Sequence, residues 1–327
     1  MNVAEDRYLG IAKETAYGTA VAPTKYIDFS SFSVNPVREN LYPPTAQRRE
    51  LVWKKEGPVR EKGSLEVEVR PDEIDSFAYW GLGSGTTTAA GDSLAYQHMI
   101  RPSEHEIYSF TTEAGSIGTY ARRINGCFIT SMKFEAAARE NLTCSLDITG
   151  RSETLVTPAQ SQTFQTELPF AFHEAAVTLG GSSFTTMEAF RVSIENSVDE
   201  DAFVLGNQFL PGIRLEGINV TGDIELTFNS WTEYQRFLAS TTATTFGVQN
   251  SFALKVIFTS VQTTGSVSVG YENYLIEFDL PAIHYDTVEV NEEKRDRIVM
   301  TASYTALYDT SSAYAVRVKI INTNSTL

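Results

Sequence analysis

Apolar and polar residues alternate with period two along much of this chain. Leu65, Val67 and Val69 are interleaved with Ser64, Glu66 and Glu68, and Leu142, Cys144, Leu146 and Ile148 with Thr143, Ser145, Asp147 and Thr149. Ile224, Leu226 and Phe228 alternate with Glu225 and Thr227, and Ile298, Met300, Ala302 and Tyr304 with Val299, Thr301 and Ser303. Successive side chains of a strand point to opposite faces, so each pattern predicts a half-buried antiparallel strand. The chain is expected to be mainly β.

Two segments break the alternation and predict helices. Residues 71–81 open on Pro71, Asp72 and Glu73 and close on Gly81, with Ile74, Phe77 and Ala78 on one stripe. Residues 230–238 open on Ser230 with Glu233 three positions later, a capping-box pattern, and carry Tyr234, Phe237 and Leu238 on one stripe.

Each helix follows a similar strand, and the glycines that begin those strands, Gly63 and Gly222, lie 159 residues apart. Upstream, Phe32, Ser33, Val34 and Asn35 parallel Phe190, Arg191, Val192 and Ser193 at a spacing of 158. A loop of about 28 residues follows in both halves. Downstream, a hairpin-like pair at 126–134 and 141–150 parallels 274–285 and 297–307. The order strand, long loop, strand, helix, hairpin thus occurs twice. It predicts two tandem β-sandwich or open-barrel domains, 1–160 and 161–327, each with a short flanking helix, divided in a Ser/Thr/Gln/Pro stretch near 157–166.

Charge sharpens this picture. The 327 residues carry 26 Lys+Arg against 41 Asp+Glu, a net charge of −15. Such an excess of acid opposes adhesive nucleic-acid binding, which needs Lys and Arg to displace counterions from phosphate. No apolar run is long enough to span a membrane, and no basic segment leads into an apolar one as an export signal would. The charge is also uneven. Residues 35–62 hold Arg38, Arg48, Arg49, Lys54, Lys55, Arg60 and Lys62, with Trp53 among them, against four glutamates, a local +3. Residues 193–221 hold Glu195, Asp199, Glu200, Asp201 and Glu216 against Arg214, a local −4. Loops this long usually have a task. A basic, aromatic-bearing loop in an acidic protein predicts self-association, one copy's basic loop meeting acidic surface on another.

Candidate chemistry is sparse. His98, His105, His173 and His284 lack metal-site spacing, and His98 and His105, beside Glu104 and Glu106, are expected to be polar loop residues. The run 199–201 lacks the ligand spacing and turn glycine of a calcium loop. Cys127 and Cys144, on the two arms of one predicted hairpin, are expected as buried thiols. The glycine-rich 81–85 segment has no phosphate-binding lysine and is expected to be a flexible connection. Glu66 and Glu68 are adjacent carboxylates on one strand face with no cleft marked. Neither cofactor, metal nor enzymatic activity is expected. Trp53, Trp80 and Trp231 offer an alternative reading, a β-sandwich carbohydrate-binding or adhesion module, in which they serve as stacking platforms.

The opening residues 8–27, with Gly10, Glu14, Tyr17, Gly18 and Thr19 leading through Pro23 to a strand, resemble the start of phage major tail tube proteins. The long charged loop, the strand 63–69 and the short helix after it are also similar to that family. The resemblance implies a structural virion protein whose subunits form rings that stack into a hollow tail tube for DNA passage during ejection. It implies that residues 35–62 reach an adjacent ring, with Arg48, Arg49, Trp53, Lys54 and Lys55 as contacts. Two folds per chain would make the ring a trimer with pseudo-sixfold symmetry. The partners implied are the chain itself, tape measure, tail terminator and distal tail proteins, and DNA that passes without specific binding. The chain would act in the virion tail, after assembly in the host cytoplasm, with no membrane involved. A polar, acidic wall would repel phosphate, and Glu66, Glu68, Asp147, Glu225, Thr301 and Ser303 are the residues expected to supply it.

Overall fold

A computed structural model of the chain describes residues 7–44, 46–115, 120–158, 162–239, 249–291 and 298–327. It is mainly β and antiparallel, as the alternation predicts. The first half runs β1 (Tyr8–Lys13), β2 (Lys25–Ile27), β3 (Ser31–Phe32), β4 (Asn35–Arg38) and β5 (Val59–Glu68). Helix α1 (Pro71–Leu82) follows, then β6 (Gly83–Ala89), β7 (Tyr96–Pro102), β8 (Phe110–Gly115), β9 (Ala121–Ala137), β10 (Thr143–Gly150) and β11 (Ser152–Val156). The second half runs β12 (Ala175–Leu179), β13 (Ser182–Phe184), β14 (Met187–Val198), β15 (Leu215–Thr227) and helix α2 (Thr232–Leu238). It ends with β16 (Phe252–Thr263), β17 (Asn273–Asn291), β18 (Val299–Ala306) and β19 (Arg317–Asn322).

The pairing pattern repeats. In the first half β1 pairs with β2 and β8, β8 with β9, β9 with β10 and β11, β10 with β5, and β5 with β3 and β4. In the second half β12 pairs with β13 and β16, β16 with β17, β17 with β18 and β19, β18 with β15, and β15 with β14. The hairpin β6–β7 has no counterpart among the described residues. Both long strands, β9 and β17, change partners partway. Gly126, at φ 64°, sits where β9 passes from β8 and β11 to β10, in a backbone region other residues avoid.

The same irregularities recur. A β-bulge leaves Thr130 unpaired between Ile129 and Ser131 on β9, and another leaves Asp286 unpaired between Tyr285 and Thr287 on β17. A Cβ on Gly63 would lie 2.3 Å from the Ser33 carbonyl oxygen, and one on Gly222 would lie 2.2 Å from that of Arg191. Only glycine permits that backbone approach.

Two seams join the halves. β9 pairs with β14 from Ala137↔Ala189 to Ser131↔Glu195, and β7 pairs with β19. One sheet therefore runs through β5, β10, β9, β14, β15, β18 and β17, with β3 and β4 at its first edge. The core is shared as well: Phe134 of β9 packs on Phe278 of β17 with ring centroids 4.8 Å apart.

Several expectations need correction. The capping box at Ser230 does not form: α2 starts at Thr232, its N-cap Trp231 makes no side-chain cap bond, and Tyr234, Phe237 and Leu238 are only half-buried. Glu233 is instead buried, accepting a 3.0 Å bond from the Tyr285 hydroxyl. The 81–85 segment is the end of α1 and the start of β6, not a flexible link. Gly83 (φ 82°) caps the helix, with the Glu106 carbonyl oxygen so close that no side chain fits. The two loops are shorter than read, 39–58 and 199–214, because charged residues at their ends belong to strands. Arg38 lies in β4, Arg60 and Lys62 in β5, Glu195 in β14 and Glu216 in β15. In the second hairpin, residues 274–282 pair with β16 and β19, while β18 meets β17 only from Ile283 onward; Arg297 lies outside the described residues.

Candidate assembly surfaces

The polar face of the shared sheet is built by the alternation itself. Register sets Glu68, Thr143, Glu135, Arg191, Asp223, Ser303 and Thr287 side by side in one row across the strands. Two rows away on the same face run Ser64, Asp147, Ser131 and Glu195, and beside the first row run Glu225, Thr301 and Glu289. Glu66, opposite Ser145 and Lys133, belongs to the same face. All six residues expected on an acidic wall thus share one face of one sheet. Glu135, Glu195, Asp223 and Glu289 join them there, although none stood out as a wall residue in the sequence. Arg191 lies between Glu135 and Asp223 at 2.6 Å from each, so part of the acidity is balanced locally.

At the end of this sheet near residues 59–62 the two long loops meet. Arg60 donates to Asp201 at 2.7 Å and to Glu39 at 2.8 Å, and Lys62 to Glu200 at 2.6 Å. The Val59 amide bonds the Gln208 carbonyl at 3.0 Å, and the Gln208 side chain bonds the Gly57 carbonyl at 2.8 Å. Burial raises the Glu200 pKa, but hydrogen bonds from Lys62 and Thr149 outweigh it and hold the carboxyl below its usual value. The expected pairing of basic loop with acidic loop therefore exists inside one chain for Arg60 and Lys62. Folding brings the loops together because their flanking strands share a sheet.

The remaining cations of the basic stretch are exposed. Arg38 pairs with Glu56 at 3.0 Å, both exposed, and Arg48, Arg49, Lys54 and Lys55 are exposed with no ion pair among the described residues. Lys55 is fixed by its backbone, which exchanges 2.8 Å hydrogen bonds with Leu41. Trp53 is 64% exposed, Leu51 67%, and Leu205 on the second loop is fully exposed. Asp199 and Glu216 are not ion-paired among the described residues. This end of the molecule thus presents an apolar, cationic tip.

The other candidates are structural. Trp80 is buried and stacked on Phe110 at 4.9 Å, so it offers no platform to a sugar. His98 is a fully buried residue of β7, not a loop residue. Its ring bonds the Thr87 hydroxyl at 2.9 Å, the Asn322 side chain at 2.9 Å and the Asn324 carbonyl at 3.0 Å, and burial pushes its pKa down. Cys127 and Cys144 are free, buried thiols, and burial pushes the pKa of Cys127 up to about 12. No cluster of three or more metal-ligating side chains occurs among the described residues.

A continuous sheet with one largely polar face and a projecting loop tip is the architecture of a structural, sheet-building protein. Comparison with known families gives the particular one. Residues 4–294 match the family model described as phage tail tube protein, and the chain belongs to that family. No curated protein matches the chain. The protein is a structural component of a phage tail.

Proposed function

We propose that copies of this chain join edge to edge into rings, and that the rings stack into the tail tube through which DNA passes. The observation that carries this reading is the sheet running unbroken through both halves with one polar face rich in acids. Turned inward, that face repels phosphate and leaves DNA free to slide. We read the repeated pairing pattern as two tube-fold repeats, 1–160 and 161–327, so three chains supply six repeats and the ring is a pseudo-sixfold trimer. The tip carrying Arg48, Arg49, Trp53, Lys54 and Lys55, stapled to the 199–214 loop, reaches the next ring. Tape measure, tail terminator and distal tail proteins are its expected neighbours, and no catalytic step is involved.

Negative-stain microscopy of the purified protein tests this. Rings or tubes with an open channel, three- or pseudo-sixfold in end views, are expected. Compact monomers under every condition, with no protein of this mass in purified tails, would overturn it. Replacing Arg48, Arg49, Lys54 and Lys55 together by Glu is expected to stop stacking while rings still form.

A further inference from the structure

The seam between β9 and β14 lies inside one chain, yet by position in the repeat it is a joint between two equal units. We infer that the same joint, in the same register, links one copy to the next. The β17 edge at residues 287–290 of one copy pairs antiparallel with the β4 edge at residues 34–37 of another. This rests on the tail-tube reading and specifies how its rings close.

The register follows from the repeat. The bulges align Thr130 with Asp286, so Met132, Lys133 and Phe134 correspond to Val288, Glu289 and Val290. The glycines align Gly63 with Gly222, so Val34, Asn35 and Pro36 correspond to Val192, Ser193 and Ile194. Phe134 faces Val192 and Lys133 faces Ser193 at the internal seam. Val290 therefore faces Val34 between copies, Glu289 faces Asn35, and Val288 faces Pro36.

Three observations support this edge. Among the described residues no strand pairs with the second side of β17 over 287–290, or with the outer side of β4. The backbone groups are aimed correctly. Ser33 and Glu39 donate to Ser64 and Pro58 on the β5 side, so Val34 and Pro36 face outward; Thr287 and Glu289 face β18, so Val288 and Val290 face outward. The core is also unfinished at this end. Met132, Phe134 and Ile194 are fully buried at the seam, whereas their counterparts Val288 and Val290 are half-buried and Pro36 is exposed.

The free edge is guarded. Pro36 removes one outward donor, and Arg122, held by Glu153 at 2.6 Å, donates to the Val34 carbonyl at 3.0 Å. Such devices limit indiscriminate edge pairing, and Arg122 must share or release that carbonyl when copies join.

Paired cysteines test the register. Glu289 and Asn35 would occupy a closely spaced, non-hydrogen-bonded pair across the joint, a geometry that suits a disulfide. Neither native thiol competes, both being buried. Oxidised tubes of Glu289→Cys/Asn35→Cys are expected to yield covalent chains ending at trimers. Glu289→Cys/Val37→Cys, a diagonal pair about 7–8 Å apart, should yield about tenfold less. Wild-type hydrogen exchange is the companion readout, with the Val34 and Val290 amides gaining protection on assembly. Tubes that form without this crosslink, or with equal yields from both pairs, and without that protection would overturn the register and leave the tube standing. Failure of the wild type to form any ring or tube would remove the tube reading and this joint together.

Discussion

The two helices occupy the same place in the two halves and could hardly differ more in surroundings. In α1, ten of twelve residues are buried, whereas in α2 only Glu233 is. The difference comes from what lies above them. Helix α1 is covered by elements from far along the chain. Asp72 accepts from the Thr323 amide and hydroxyl, and Asp75 from Asn322, Asn324 and Lys25, so the C-terminal tail is fastened to the first half. Among the described residues no comparable set of buried carboxylate bonds reaches α2, and Trp231 at its start stays 52% exposed. Matching positions in the two halves are thus core in one and half-buried in the other, according to what the rest of the chain brings to them.

This contrast can be broken at several points. Phe77 is fully buried against Trp80 and Phe110, with ring centroids at 5.9 and 6.2 Å. Phe77→Ala is expected to cost about 3–5 kcal/mol in urea or guanidinium unfolding, and Phe237→Ala on α2 well under half of that. Equal losses would show that the two helices are equally important to the protomer's core.

Gly63→Ala and Gly222→Ala probe the resemblance between the halves instead of their difference. Both place a Cβ against a carbonyl oxygen in the same geometry, so both are expected to destabilise by roughly 2 kcal/mol or more. A large loss at one site and none at the other would break the structural equivalence from which the register between copies is drawn.

Glu73, buried in the first turn of α1, makes the covered helix pH-sensitive. Burial, partly offset by Arg70, raises its pKa to about 7 from 4.5. A raised carboxyl costs nothing below its unfolded value, so the penalty from Glu73 is absent below pH 4.5, grows as pH rises toward 7, and is level above that. Glu73→Gln is expected to add about 2 kcal/mol at pH 8 and little at pH 4, measured by unfolding at both. Equal effects at the two pH values would contradict this assignment.

The smallest effect is expected at Trp231. Among the described residues its ring packs edge-on against Phe228 and Tyr234, at 4.9 and 5.4 Å, so Trp231→Ala should shift stability by under about 1 kcal/mol. A larger loss would mean that Trp231 packs against more than these two rings.

Much was legible in the amino-acid order because it depends on residues close in sequence. Period-two alternation set the strands and sorted Glu66, Glu68, Asp147, Glu225, Thr301 and Ser303 onto a polar face. Pro71 and the acids after it set the start of α1, though its stop moved from Gly81 to Gly83. The 158- and 159-residue spacings pointed to elements that occupy matching places in the pairing pattern. What failed to show was partnership. The charges of Arg60 and Lys62 suggested a partner on another copy, and only the sheet that joins β5 to the strand before the 199–214 loop brings Glu200 and Asp201 to them. His98 read as a loop residue because nothing nearby in sequence announces Asn322.

By itself, then, the sequence determined which residues extend, which face each side chain takes, and where charge accumulates, since side-chain direction in a strand is a local property. Tertiary structure decided who lies beside whom. The seams β9–β14 and β7–β19 and the burial of α1 against the tail arise from contacts between residues far apart in the chain. A period of two names a face but carries no address for the neighbouring strand. That address is set by bulges, close-packed glycines and the need to complete a shared core.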